Sequence, residues 1–402
     1  MHKRTVDLSQ EKTVLGEFGS RMSRIAAAVG LLGLAATALL FFMGGGERFF
    51  QSWLLSFVFF LSISLGALFF VLIQHVTSSS WSVVVRRLAE AVSANLLWLL
   101  FLSIPLFFGM DKLYHWADAE HVAHDALLQW KQPYLNLPFF YARMAIYFAT
   151  WILISRTYLK ASVGQDSTGN LDTSRRMKRW SALSLILFGF TLTFASFDLL
   201  MSLDAHWFST MFGVYFFTGS VVAFFAFLPI LSSILQKMGF LRGVISIEHY
   251  HDMGKFMFAF LVFWAYIAFS QYMLIWYSNI PEETTWFLRR QTGNWEAWSW
   301  FLLVGHFFLP FLALLSATPK RRARYLAPMA LWILVMHWVD LYYIIMPEFA
   351  VAGQLDFHLL DLTTFVAVGG IWTALLLRTL GRQSLIPLKD PRLAESLSFE
   401  NA

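Results

Sequence analysis

Residues 50–76 read FQSWLLSFVFFLSISLGALFFVLIQHV, with no Asp, Glu, Lys or Arg among them. An α-helix rises about 1.5 Å per residue, so this run can cross a hydrocarbon layer about 30 Å thick. It is one of ten. The others cover 25–43, 88–110, 138–158, 179–201, 206–236, 253–278, 296–316, 325–347 and 355–378. Apolar residues fill 58% of the 402 positions and charged residues 14%, against about half and a quarter in a soluble domain. No soluble fold of this length hides so much hydrocarbon, which leaves lipid as the solvent. The expected class is all-α and polytopic.

Segment 1–24 is polar and carries Lys3, Arg4, Lys12, Arg21 and Arg24. The apolar run behind it is too long for a signal-peptide core and is expected to remain as the first span. Of the 30 Lys and Arg, 24 fall in segments on the side of the N-terminus and 5 on the other side, with Arg143 inside a span. Positively charged loops stay in the cytoplasm, so both termini are expected there. The net charge of +5 is therefore a topology signal and not a nucleic-acid patch. Between spans, 111–137 forms an outside segment with His115, Trp116, His121 and His124, and 159–178 a flexible polar loop inside.

There is no Cys, which excludes disulfides, thiolate-held iron–sulfur clusters and a Cys nucleophile. No span carries the paired histidines that hold stacked haems. His306 and His337, at comparable depth, are a weak remaining pair for one haem. The chain is expected to hold no redox centre of its own, no metal and no catalytic residue.

An ionisable side chain within a span is costly and points to a role. Arg143 and Asp198 lie in the outer half, as do His337 and Asp340, three residues apart on one helix face. His358 and Asp361 repeat that spacing near the outside, His306 sits near the middle, and Asp204 and His206 occupy the outside turn SLDAHW (202–207). On the inner side, EHYHDMGK (248–255) supplies Glu248, His249, His251, Asp252 and Lys255, and Glu90 begins the third span. Each has a plainer alternative. Arg143 and Asp198 would neutralise a packed interface, 248–255 would be a solvated helix start, and His337 with Asp340 would be structural hydrogen bonding. The outside histidines would be surface residues, without the acidic or thiolate partners of a metal site.

Five segments carry a resemblance: PYLNLPFFYARMAIYF (133–148), SLDAHWFSTMFGVYFF (202–217), HDMGKFMFAF (251–260), FSQYMLIWYSNIPEE (269–283) and MHWVDLYYIIMP (336–347). They resemble the ActF membrane subunits of bacterial alternative complex III, in the NrfD-like or polysulfide-reductase membrane-subunit family. The likeness runs from the second span through the ninth. It implies two four-helix bundles, over 50–201 (spans 2–5) and 206–347 (spans 6–9). Flanking spans at 25–43 and 355–378 and cytoplasmic segments at 1–24 and 379–402 complete the chain. It further implies a bacterial inner-membrane subunit of a respiratory quinol:cytochrome c oxidoreductase. Its partners would be an ActC-like NrfD homologue, an iron–sulfur subunit and c-type haem subunits.

Arg143, Asp198, Asp204, His206, His337 and Asp340 lie inside the matching segments. They become candidates for proton transfer, with His337 and Asp340 forming an outer relay with Asp198 and Arg143, or for a quinone pocket (menaquinone or ubiquinone) near the periplasmic face. Glu90, Glu248, His249, His251, Asp252 and Lys255 are the candidates for proton entry from inside. A scaffold that anchors redox partners without chemistry is the competing expectation. An independent transporter, with binding groups at broken helices near the midplane, is the third.

Overall fold

The computed structural model describes residues 7–350, 354 and 357–401, which are helical almost throughout. Ten helices are long and apolar enough to cross a membrane: α1 Gly16–Phe42, α2 Gly46–Val76, α3 Val83–Phe107, α4 Leu137–Thr168, α5 Leu171–Leu203, α6 Phe212–Lys237, α7 Ile247–Ser278, α8 Asn294–Leu314, α9 Ala323–Glu348 and α10 Leu359–Gly381. The chain is an all-α, multi-pass membrane protein. Lys3, Arg4 and the expected start of the last span at 355 lie outside the described residues.

Several helices outrun the apolar stretches that foretell them. Hydropathy marks the part bathed in hydrocarbon, and backbone hydrogen bonding carries the helix on into water. The expected loop 159–178 is thus mostly helix, broken only at Gly169 (φ +63) and Asn170. The third span begins at Val83 instead of 88, which places Arg86 and Arg87 inside it and fully buried. The tail folds back as well. Leu385 donates to the Thr13 carbonyl at 2.6 Å, and Leu385 and Ile386 are buried. The end of the molecule holding residues 13 and 385 is called the terminal face below.

α2–α5 pack in a ring of neighbours, and so do α6–α9. α2 and α6 form the seam between the rings, and α2 also touches α9 and α10. Lipid tails are as apolar as Leu, so helices in a membrane gain by close van der Waals contact and small residues permit it. At the seam, a Cβ on Gly66 would lie 2.2 Å from the Ser220 carbonyl oxygen. α1 packs along α10 in the same manner, where a Cβ on Gly370 would lie 2.5 Å from Gly30 Cα.

Gly66→Val is expected to destabilise the protein by about 3 kcal/mol, because the obstacle is backbone that cannot yield. Gly164→Ala, with nothing within 4 Å of the new Cβ, is expected to be neutral or to stabilise by up to about 1 kcal/mol. Thermal melts in detergent read both, and equal melting temperatures would refute the seam's tight approach.

Candidate functional site

A set of buried ionisable groups that pairs with no cation among the described residues lies in the α6–α9 ring, against α2. α9 presents His337 and Asp340 one turn apart, each 1% exposed. Their side chains go to different partners. The Asp340 carboxylate accepts from the Tyr215 hydroxyl on α6 and, at 3.2 Å, from the Trp264 indole N–H on α7. No cation pairs with it among the described residues.

His337 Nε2 lies 2.8 Å from the Ser62 hydroxyl of α2. That hydroxyl donates its one proton to the Phe59 carbonyl at 2.7 Å. Ser62 must then accept from the ring, which makes Nε2 the N–H and leaves a lone pair on Nδ1. Nδ1 has no hydrogen-bond partner among the described residues. It borders Gly219 of α6, where an added Cβ would lie 3.6 Å from it.

His306 on α8 completes the group. Pro310 has no N–H to offer the carbonyl four residues earlier, and the helix widens into a π-helix over Leu303–Phe308. In the widened turn the Gly305 carbonyl accepts from the Trp332 indole at 2.8 Å. The His306 ring is fully buried, stands 3.9 Å from the Trp264 ring, and has no hydrogen-bond partner on either nitrogen among the described residues. Trp264 therefore touches Asp340 by its N–H and His306 by its ring. Groups from α2, α6, α7, α8 and α9 converge at one buried point, able to pass a proton or hold water.

Arg143 and Asp198 make a second, separate site between α4 and α5. The guanidinium is bidentate, with Nε and Nη2 each 2.8 Å from a carboxylate oxygen. The Tyr147 hydroxyl donates to the same carboxylate at 2.7 Å, and Arg143 Nη1 donates to the Tyr134 carbonyl at 2.8 Å. The Tyr134 ring covers the guanidinium at 3.9 Å. This is a closed, satisfied ion pair. No hydrogen bond or ion pair among the described residues links it to Asp340, so the two expected halves of an outer relay stand apart. Nearby, an apolar groove of about 350 Å³ runs past Phe107, Tyr141, Met144 and Phe148, with Tyr141 its only polar side chain.

Asp204 and His206 part company. Asp204 meets Arg289 at 3.4 Å, and Arg289 also pairs with Glu348, which binds the buried Arg290 at 2.9 Å. This ladder caps the α6–α9 ring away from the terminal face. His206 is exposed and pairs with Asp125 at 2.6 Å. Asp361 pairs with Arg48 and accepts from Ser52, each at 2.6 Å, and His358 caps α10. His115, His121 and His124 are exposed, and no group of three possible metal ligands occurs among the described residues.

At the terminal face the expected entry group divides in two. His249 forms a capping box with Ser246, Asp252 pairs with Lys255, and Glu248 meets Arg321 at 3.4 Å, His251 at 3.9 Å and Asn401 at 2.9 Å. Glu90 belongs elsewhere. It is fully buried, 3.2 Å from Arg87 and 3.5 Å from Arg86. Arg87 reaches Asp166 at 2.9 Å, and Arg86 binds Asp390 of the tail. Burial pulls the Asp390 carboxyl up, but the Arg86 guanidinium, together with the backbone N–H and the charge of Arg392, outweighs it and holds the group below its ordinary value. Neither the partners Asp166 and Asp390 nor the groups Ser62, Tyr215, Trp264 and Glu348 stand out in the linear sequence.

Compared with known proteins, the chain matches no family model and no curated protein.

Arg143→Met is expected to cost about 3–5 kcal/mol, since it strands the Asp198 charge, while Arg143→Met with Asp198→Leu recovers most of that. Melting temperatures of the two variants check this; equal losses would contradict it. Asp390, lowered in the fold, contributes stability that is complete above its unfolded value near 3.8 and is lost as pH falls through the folded value. The tail is accordingly expected to become protease-sensitive only as pH falls below 3.8 toward the lower folded value, and Asp390→Asn to make it so at neutral pH.

Proposed function

We propose that this chain is the proton-handling membrane subunit of a bacterial respiratory quinol:cytochrome c oxidoreductase of the alternative complex III type. The observation that carries the reading is Asp340. It is a buried carboxyl held by two neutral donors, with no cation among the described residues, so it can exchange a proton without breaking an ion pair. His337, with its open Nδ1, and His306, with neither nitrogen hydrogen-bonded among the described residues, stand beside it. Such groups are suited to passing protons between a face of the membrane and a redox partner.

The resemblance of 336–347 to ActF segments supports the assignment, as does the lack of any Cys that would hold a cluster. The electrons then belong to partners: an ActC-like homologue, an iron–sulfur subunit and c-type haem subunits. In this reading the terminal face lies on the cytoplasmic side of the inner membrane, which the distribution of Lys and Arg supports, and the Asp204–Arg289–Glu348 ladder on the periplasmic side. Glu90 and Glu248 are the carboxyls on the cytoplasmic side of such a path. A quinone ring presents two carbonyl acceptors, and the groove beside Arg143 offers it only the Tyr141 hydroxyl. Proton transfer, more than quinone binding, is therefore the role assigned here.

A scaffold role is the second reading. The closed Arg143–Asp198 and Arg48–Asp361 pairs favour it, because they hold helices together and need no chemistry. Asp340→Asn in the assembled complex, reconstituted in liposomes, separates the two. The proton reading expects quinol turnover or proton release to fall about tenfold or more with subunit content intact. Unchanged turnover and proton yield would leave the scaffold.

A further inference from the structure

The terminal face holds two adjoining cavities that the proton groups do not use, where α6 ends and α7 and α9 begin. One, of about 480 Å³, is lined by Lys237, Arg242 and Arg324, with Ser233, Ala327 and Pro328 along its deeper wall. The other, of about 470 Å³, adds Arg321 and Arg322. They share Gln236, Arg242, Ala323 and Arg324, and neither lining contains a carboxylate. Arg321 is paired with Glu248. Lys237, Arg242, Arg322 and Arg324 form no ion pair among the described residues.

The site is built, not a chance of loose side chains. The Gln236 amide donates to the Leu241 and Ile245 carbonyls at 3.2 and 2.8 Å, and its oxygen accepts from the Tyr250 hydroxyl at 2.8 Å. Those bonds fix the α6–α7 turn, and Arg242 Nε donates back to the Gln236 carbonyl at 3.2 Å. One edge of the guanidinium is thereby anchored and the other is left to the cavity. α9 starts at Ala323, on the shared wall, with no side chain capping its first turn. The positive end of its dipole adds to the field.

Glu11, which accepts from the Gly243 N–H at 2.7 Å, forms no ion pair with these cations among the described residues, and four cations with no carboxylate in the lining repel one another until an anion joins them. The position selects the anion's source. Ala327, Pro328 and Ser233 are small or compact side chains on membrane-length helices, and they extend the cavity from the charged rim down the α6–α9 groove. A free phosphate would use the rim alone; a lipid would fill rim and groove together. We propose that this pair of cavities binds the phosphate headgroup of an anionic phospholipid, between Arg242 and Arg324, with an acyl chain along Ala327 and Pro328. The third basic cavity of this face, at Lys160, Arg176 and Arg179, contains Asp172 in its lining and serves as a comparison.

The test uses the full-length chain purified in detergent and titrated with phosphatidylglycerol, phosphatidylcholine and inorganic phosphate, read by native mass spectrometry and by melting temperature. Phosphatidylglycerol is expected to bind and to raise the melting temperature, and phosphatidylcholine to do neither. Each surface cation contributes about fivefold to such binding, so Arg242→Gln with Arg324→Gln is expected to weaken it about 25-fold and Arg324→Gln alone about fivefold. Arg176→Gln with Arg179→Gln is expected to leave it within about twofold. Equal loss in the two double variants would reduce the effect to diffuse surface charge. Equal binding of both lipids, or displacement of phosphatidylglycerol by millimolar inorganic phosphate, would overturn the lipid assignment. Melting of the lipid-free variants, expected to stay close to the parent because both arginines are exposed and form no ion pair among the described residues, separates loss of binding from loss of fold.

Discussion

The α2–α6 seam is the contact on which the remaining architecture turns. Gly66 lets the two backbones approach until side chains can no longer intervene, with the Ser220 carbonyl on the far side. One helical turn from Gly66 lies Ser62, and beside Ser220 lies Gly219. His337 of α9 touches both, through a hydrogen bond to Ser62 and through the open edge at Gly219. The crossing that joins the two rings of helices also sets the tautomer and exposure of the histidine at their junction. A wider crossing would take Ser62 out of reach and leave that ring without its orienting partner.

Hydrocarbon offers no water to a stranded polar group, so every ionisable side chain in a span must be satisfied by the protein or be kept for a purpose. Most here are satisfied. Arg143–Asp198, Arg48–Asp361 and Arg290–Glu348 each join a cation to an anion and add donors or acceptors around them. The His306–His337–Asp340 group is different in kind: an acid and two imidazoles held by neutral neighbours, with ring nitrogens unengaged by protein. The π-helical turn of α8 that bears His306 gives up regular α-helical bonding at the same place. Departures from local regularity gathered at one buried point are what a working site looks like.

Much of this was legible in the residues. Ten apolar runs and the asymmetry of Lys and Arg foretold ten helices, because hydrophobic length and loop charge are local properties. Arg143 with Asp198 was legible too, as opposite charges at matching depth on consecutive spans. What hydropathy concealed was the extent of helix beyond the hydrocarbon. Arg86 and Arg87 look like loop cations, yet they are buried because Asp166 and the folded-back Asp390 reach them from distant parts of the chain. The same blindness hid the division of the expected outer relay. Depth along a helix is readable from spacing, but which helices face one another is not. Asp198 and Asp340 fall in different expected bundles, and no hydrogen bond or ion pair among the described residues joins them into one relay. Ser62, Tyr215 and Trp264 gave no signal, since Ser, Tyr and Trp are ordinary in any span.

Infrared difference spectroscopy on the assembled complex, comparing oxidised and quinol-reduced states, reaches the central claim most directly. A carboxyl that exchanges protons during turnover gives a protonated C=O band that changes between the two states. The account predicts such a band, and predicts that Asp340→Asn abolishes it while Asp198→Asn leaves it in place. A band that survives Asp340→Asn, or no redox-linked carboxyl band at all, would contradict it.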